Sequence, residues 1–340
     1  MFNNFIMTKQ CWLIIIFLAP LWLTAQQRII VDAAGKGNYK TIQEAVNSLP
    51  DSSATDRIIF IKNGIYKEQV NIARAHVVLQ GESKEKTIIT GAVASLIYTC
   101  EHPRDNNSAI LNLDGNDITL LDLTVENSYG KTAPDSVLID CPNKPEKVKV
   151  IKTAHQFALK ANKATRLKVI NCVLRNWGND TVSPWTGANG MYYFRDCTMI
   201  GGTDFYCPRG SAYADKCTFI QNVPAAAIIW HDGSRDRNQK SVFRNCTFKG
   251  DVPYYLGRYH HEASFYLINC GFDNNLKDTP IYKAATAKPM KWESTAYYYG
   301  CHKEGKQLVW YKDNLSTAPG APAAEMIDAN WTFEGKWEVK

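Results

Sequence analysis

Five cysteines recur in closely similar settings along the chain: Asn171-Cys172-Val173-Leu174, Asp196-Cys197-Thr198-Met199, Lys216-Cys217-Thr218-Phe219, Asn245-Cys246-Thr247-Phe248 and Asn269-Cys270-Gly271-Phe272. Their successive spacings are 25, 20, 29 and 24 residues. Short β-branched and aromatic runs that each close on a polar-Cys-x-apolar step, at a period in the twenties, are what stacked coils show. A coil of that size cannot bury its own inner face, so equivalent side chains of successive coils must pile into internal ladders. The expected fold class is all-β, a solenoid. Cysteine is small and readily buried, which suits a ladder position. Packing thiols are therefore expected here rather than a disulfide framework or metal ligands, since metal sites built from cysteine want pairs two to four residues apart.

The rest of the chain agrees. Thr41-Ile42-Gln43-Glu44 reads as a capping box opening a short helix, with Ile42, Ala45, Val46 and Leu49 on one face and Pro50 ending it. Such a helix would plug the N-terminal end of the solenoid, where an open sheet edge invites aggregation. Short strands are predicted over 57–62, 76–80, 87–90, 118–125 and 147–151, with Gly, Asn, Asp and Pro clustered between them. With 340 residues, 45% of them hydrophobic, the chain has ample material for one large core, and disorder is excluded. No linker-like shift in composition precedes the Ala- and Pro-containing stretch 317–324, so one domain over 26–340 is expected.

Residues 1–25 carry one charge, Lys9, then an apolar run from Trp12 to Leu23 interrupted by Pro20, then Thr24-Ala25 before Gln26-Gln27. That run is short for a bilayer span and reads as a secretory signal peptide, giving an exported, periplasmic or secreted protein with no membrane segment in its mature form. Cleavage after Ala25 leaves 38 basic against 33 acidic residues and nine cysteines, an odd number, so at least one stays unpaired within the chain. A mildly basic exported protein suits a polyanionic partner. Nucleic acid is not the expected one, because no dense Lys/Arg stripe with interleaved aromatics is present. The expected state is a monomer.

Chemistry-bearing side chains gather at His155-Gln156-Phe157-Ala158-Leu159, Gly178-Asn179-Asp180-Thr181-Val182, Gly202-Thr203-Asp204-Phe205 and Leu256-Gly257-Arg258. Positions 156, 180 and 204 are each 24 apart. Strands of adjacent coils lie about 4.8 Å apart, so residues one period apart become lateral neighbours, and Gln156, Asp180 and Asp204 should form a polar cluster. Two carboxylates that close seldom both ionise; one should hold a proton near neutrality while the other stays charged. Read singly, Gln156 could equally be an inward amide satisfied by backbone, and the two acids could be turn caps.

Here the residues match a known family. The chain resembles the pectin methylesterases, carbohydrate esterases of the right-handed parallel β-helix type. Val31-Asp32 with Gly35 and Gly37, followed by Thr41-Ile42-Gln43-Glu44-Ala45-Val46, resembles the family's opening segment. Gly64-Ile65-Tyr66-Lys67-Glu68 matches its Gly-x-Tyr-x-Glu signature. Gln156-Phe157-Ala158-Leu159 is similar to Gln-Ala-Val-Ala-Leu, Asn179-Asp180-Thr181-Val182 to Gln-Asp-Thr-Leu, Asp204-Phe205 to the start of Asp-Phe-Ile-Phe-Gly, and Leu256-Gly257-Arg258 to the start of Leu-Gly-Arg-Pro-Trp.

The resemblance implies demethylation of methyl-esterified homogalacturonan with release of methanol, without metal or cofactor. It implies Asp204 as nucleophile, Asp180 as general acid and then base, Gln156 and Asn179 as oxyanion donors, and Arg258 as the group holding Asp204. Asn179 is one methylene shorter than the family's Gln, and Tyr259-His260 stand where Pro-Trp is usual. Phe205 and Trp230 are candidates to stack on sugar faces, with Trp292 a further aromatic, and Arg209 is a candidate to bind a uronate carboxylate. Tyr66 and Glu68 read as structural. Two other functions remain open at this point: a lyase or glycoside hydrolase on the same polymer, or a solenoid that binds carbohydrate without catalysis.

Overall fold

The computed structural model describes residues 28–142, 144–286 and 289–339. The expected signal peptide and Cys11 lie outside these residues. From Ile29 onward the chain winds through three parallel sheets that run the length of the molecule. One sheet has ten strands, from Ile29–Val31 to Thr295–Tyr299; a second has nine, from Gly64–Lys67 to His302–Lys303. The third face is split into a four-stranded sheet ending at Val182–Pro184 and a three-stranded sheet beginning at Ala227–His231. Tyr206 bridges the two, pairing with Val182 on one side and Ile229 on the other. The architecture is a right-handed parallel β-helix.

The repeat read from the cysteines is the coil length. Leu167 pairs with Tyr192, Tyr192 with Ala212, Ala212 with Ser241 and Phe265 with Ala296. The first three of these steps reproduce the spacings of Cys172, Cys197, Cys217 and Cys246. The reason lies in the corner between the first and second sheets. In seven consecutive coils this corner has two residues, the first in the left-handed region: Asp122, Asn171, Asp196, Lys216, Asn245 and Asn269 with φ between 50° and 54°, and Gly300 at 60°. The second corner residue turns inward, and Leu123, Cys172, Cys197, Cys217, Cys246, Cys270 and Cys301 form a buried column. Asn and Asp tolerate the left-handed conformation better than other residues with a side chain, which is why a polar residue precedes each cysteine.

The column cysteines from Cys172 to Cys301 are free thiols. Burial pushes the Cys172 thiol up to about 12, so it behaves as an inert packing group. Below the column, the core changes from aliphatic near the N-terminus (Ile59, Leu79, Ile89, Leu120) to aromatic further along, where Phe219 and Phe248 stack with centroids 4.8 Å apart.

Both ends are closed. The helix Ile42–Asn47 buries Ile42, Ala45 and Val46, and its capping box is present as expected. At the other end Tyr298, Trp310 and Tyr311 pack over the last coil. The chain from Leu315 to Phe333, which includes the stretch 317–324, then lies on the outer surface of the ten-stranded sheet, where Leu315, Ala324, Ile327 and Phe333 cover Tyr193, Tyr213 and Val242.

Two sequence expectations are corrected. The strand predicted over 118–125 is two strands, Ile118–Leu121 and Thr124–Asn127, because Asp122 turns the corner between them. The strand predicted over 147–151 is Val148–Ile151, and it lies outside the coil, antiparallel to Ser136–Ile139. This hairpin is tied to the helix Ser95–Glu101 by a disulfide between Cys100 and Cys141.

Candidate active site

The groove runs along the third face, where its two sheets meet. Gly202, which donates its N–H to Gly178 O (2.6 Å), and the bridge of His155 to Asn179 hold the neighbouring coils in step. Asp180 N–H donates to Thr203 O (3.3 Å) and Asp204 N–H to Ala227 O (2.7 Å). The 24-residue step therefore puts Asp180 and Asp204 side by side. Both have left-handed backbone, φ 61° and 56°. That conformation swings their carboxyl groups out of the strand alternation and toward the groove.

Arg258 reaches Asp204 from two coils further along the chain, with Nε donating to Oδ1 (3.0 Å) and Nη2 to Oδ2 (2.6 Å). This forked geometry fixes the carboxylate plane. Burial pushes Asp204 above the ordinary carboxylate range, while the bonds from Arg258 pull it back. Asp180 has no such clamp. Burial first, then the charge of Asp204, raises it to about 8, with Arg209, Lys160 and Arg258 acting in the opposite direction. The two acids thus sit in unequal environments: Asp180, raised to about 8, holds a proton at neutral pH, while the fork from Arg258 favours the charged form of Asp204.

Gln156 is not part of this cluster as an open donor. It shares the register of Asp180 and Asp204 but is not among the left-handed residues, so its side chain turns inside and is fully buried. Its Nε2 donates to Lys152 O (2.8 Å) and Ala154 O (3.2 Å), and its Oε1 accepts from Gly130 N–H (2.8 Å). Both amide hydrogens are thus spent on backbone, and the expected role at an oxyanion is overturned. Phe205 is corrected as well. It is fully buried in the core, packed against Gly201, where a Cβ would lie 2.4 Å from the phenylalanine Cβ. No sugar reaches it.

Asn179 is half-buried at the groove, and its Oδ1 accepts from Thr203 N–H (3.2 Å), which leaves the amino group of the amide turned away from that bond. Trp230 stands on the three-stranded sheet, and its indole N–H donates to His260 Nδ1 (2.8 Å). Arg209 lies between two indoles, its guanidinium carbon 4.5 Å from the Trp185 ring centre and 5.5 Å from that of Trp230, with Asp232 3.1 Å from Nη2. The Arg209 Nε–H is buried without a hydrogen-bond partner among the described residues. Trp292 faces Arg237, whose guanidinium carbon is 5.6 Å from the ring centre. Cys207 packs beneath the site with its thiol against Ser183 Oγ (3.2 Å), raised by burial.

Two groove residues escaped the sequence reading. Trp185 follows Asp180 by five residues and meets Phe157 edge to face (6.1 Å). Lys160 is buried beneath that pair, 4.6 Å from the Trp185 ring centre, with Nζ bonded to Asn106 O (2.9 Å). Strand alternation could have found Lys160: Leu159 and Ala161 face the core, so the residue between them faces the groove. Nothing in the local sequence marks Trp185.

A parallel β-helix with a clamped carboxylate beside a protonated one, set in a groove of indoles and cations, is built for acid and base work on a long polar chain. The chain belongs to the pectinesterase family, whose model matches residues 28–269. A pectinesterase of Petunia integrifolia is 29% identical over 92% of this chain and 75% of its own length. A probable pectinesterase/pectinesterase inhibitor of Arabidopsis thaliana is 27% identical over 71% of this chain but only 40% of its own. In fold, the chain resembles a pectin methylesterase solved in complex with a hexasaccharide, with a TM-score of 0.69 and 20% identity over 91% of this chain and 97% of that one.

Proposed function

We propose that this protein is an exported carboxylic ester hydrolase that removes methyl groups from methyl-esterified homogalacturonan and releases methanol. The observation that carries the reading is the unequal acid pair, Asp204 forked onto Arg258 and Asp180 raised to about 8 beside it. In this reading the Asp204 carboxylate attacks the ester carbonyl carbon and its own new C–O bond replaces the bond to methoxide. Asp180 gives its proton to the departing oxygen, so methanol leaves and an acyl-enzyme anhydride remains. The Asp180 carboxylate then takes a proton from water as that water attacks the anhydride. The products are the free uronic acid and regenerated Asp204.

Arg209 suits a neighbouring carboxylate of the polymer: its guanidinium side chain is partly exposed at the groove, and the indoles of Trp185 and Trp230 beside it suit sugar rings. Asn179 supplies one donor to the developing oxyanion.

The test is methanol release from methylated pectin by wild type beside Asp204→Ala. Wild type should release methanol in a metal-chelating buffer, and the variant should be slower by at least about a thousandfold. Chain cleavage without methanol, or equal rates for the two proteins, would overturn the reading.

A further inference from the structure

Ester hydrolysis through a tetrahedral intermediate needs more than one preset donor around the negative oxygen, because a lone hydrogen bond leaves most of the charge uncompensated. Asn179 provides one. The inward turn of Gln156 removes the second donor that the sequence offered, so some other group must stand there or the site is incomplete.

The structure places one candidate at the required spot. His155 is the lateral neighbour of Asn179 across the coil boundary, joined to it by the bridge in which Asn179 N–H donates to Ala154 O (3.4 Å) and Gln156 N–H to Asn179 O (3.2 Å). Side chains paired this way on adjacent parallel strands stand about 4.8 Å apart, close enough for both to touch one oxygen atom. The imidazole lies nearly parallel to the Phe157 ring, with centroids 6.3 Å and planes 14° apart, and its Nε2 lies 3.8 Å from Asp180 Oδ2. That gap is too long for a direct hydrogen bond and short enough for one substrate oxygen, lying to the side of the pair, to be within reach of both.

The ring is exposed. His155 and Asn179 line an open recess of about 360 Å³, walled by Ser95, Leu96 and Thr99 of one helix and Lys149, Val150 and Ile151 of the hairpin. The His155 side chain is 61% exposed, whereas Gln156 is fully buried. The sequence accommodates this shift by one position. When the Ala158-Leu159 pair is set against the last two residues of the five-residue Gln-Ala-Val-Ala-Leu motif, His155 stands at the head of the motif and Gln156 at its second place.

We infer that His155 is a catalytic residue, donating from its imidazole N–H to the carbonyl oxygen that becomes the oxyanion, opposite the Asn179 amide. This rests on the esterase reading above. The donor acts without bond making: the N–H approaches the carbonyl oxygen as the Asp204 oxygen adds to carbon, and withdraws when the C=O reforms and methanol departs.

The experiment measures methanol release from methylated pectin by wild type, His155→Ala, His155→Leu and His155→Gln, with KM and kcat separated and thermal melting recorded for each. The ring is exposed, so all four should fold, with melting temperatures close to one another. The expected result is a fall in kcat of about a hundredfold to a thousandfold for Ala and Leu with KM changed little, and recovery to within about tenfold of wild type in Gln, whose amide restores a donor. Wild-type kcat in His155→Ala would overturn the assignment, as would a His155→Gln protein that melts like wild type yet is no faster than His155→Ala. If wild type itself releases no methanol, it is the esterase reading that fails, and binding of each protein to unesterified polygalacturonate then serves as the readout. A loss of binding in His155→Ala would mark the residue as a ligand contact and overturn its role as an oxyanion donor.

Discussion

At the left-handed corner position six of the seven coils carry Asp, Asn or Gly, and one carries Lys216, at φ 53°. A side chain without a short polar group pays about 1 kcal/mol or more for that backbone, and Lys216 is exposed, so little packing would be lost on replacing it. Lys216→Asn is expected to raise stability by about 0.5–1 kcal/mol, read as a higher midpoint in urea. Asp180 gives a prediction of opposite character. Its folded-state value of about 8 lies far above its ordinary 3.8, so the folded chain keeps a proton that the unfolded chain has lost, and stability falls as pH rises between those two values. Asp180→Asn removes that penalty. Its melting temperature should exceed wild type by a margin that grows from pH 4 to pH 8, while methanol release collapses. In wild type the same proton sets an alkaline limb near pH 8 in kcat/KM, and Asp204 sets an acid limb above the ordinary carboxylate range. A rate flat from pH 5 to 9 would contradict this assignment. The acid pair was legible in sequence because a 24-residue step is a statement about register. The side-chain direction of Gln156 was not, because it depends on φ at 180 and 204 and its absence at 156, which spacing does not encode.

Elements show what a distant residue can do for a local one. The helix Ile42–Asn47 is capped within its own sequence by Thr41, yet its first N–H groups are also taken by Glu68, whose two carboxylate oxygens accept from Ile42 (2.9 Å) and Gln43 (3.0 Å). The Gly-x-Tyr-x-Glu signature is thus a structural device: Tyr66 OH donates to Lys62 O (2.8 Å) while Glu68 docks the plug onto the first coils. Glu68→Ala should cost about 1–2 kcal/mol in thermal unfolding and leave kcat unchanged, since the groove lies coils away. The hairpin tied by Cys100 and Cys141 sits outside the coil, so reducing that bond should raise amide exchange in 136–139 and 148–151 with little change in the global melting temperature. The short helix was readable because capping chemistry is local. The hairpin was not: Val148–Ile151 has the composition of any coil strand, and only its partner, reached backward across a turn, distinguishes it.

Across the whole molecule, the stretch from Leu315 to Phe333 covers tyrosines of the ten-stranded sheet, and Arg244 anchors it by donating to Ala324 O (2.8 Å). Ending the chain before Leu315 would uncover Tyr193, Tyr213 and Val242 on one contiguous face. The truncated protein should melt earlier and associate in solution, measured by light scattering. The corner column carries a further consequence. Because that bend takes two residues in each of seven turns of the chain, every difference in length between one turn and the next is absorbed on the opposite flank, beside the groove. The spine is metrically fixed and the working flank is free to grow, so loops there can be lengthened, shortened or exchanged to suit a different polymer without disturbing the register that brings two acids together.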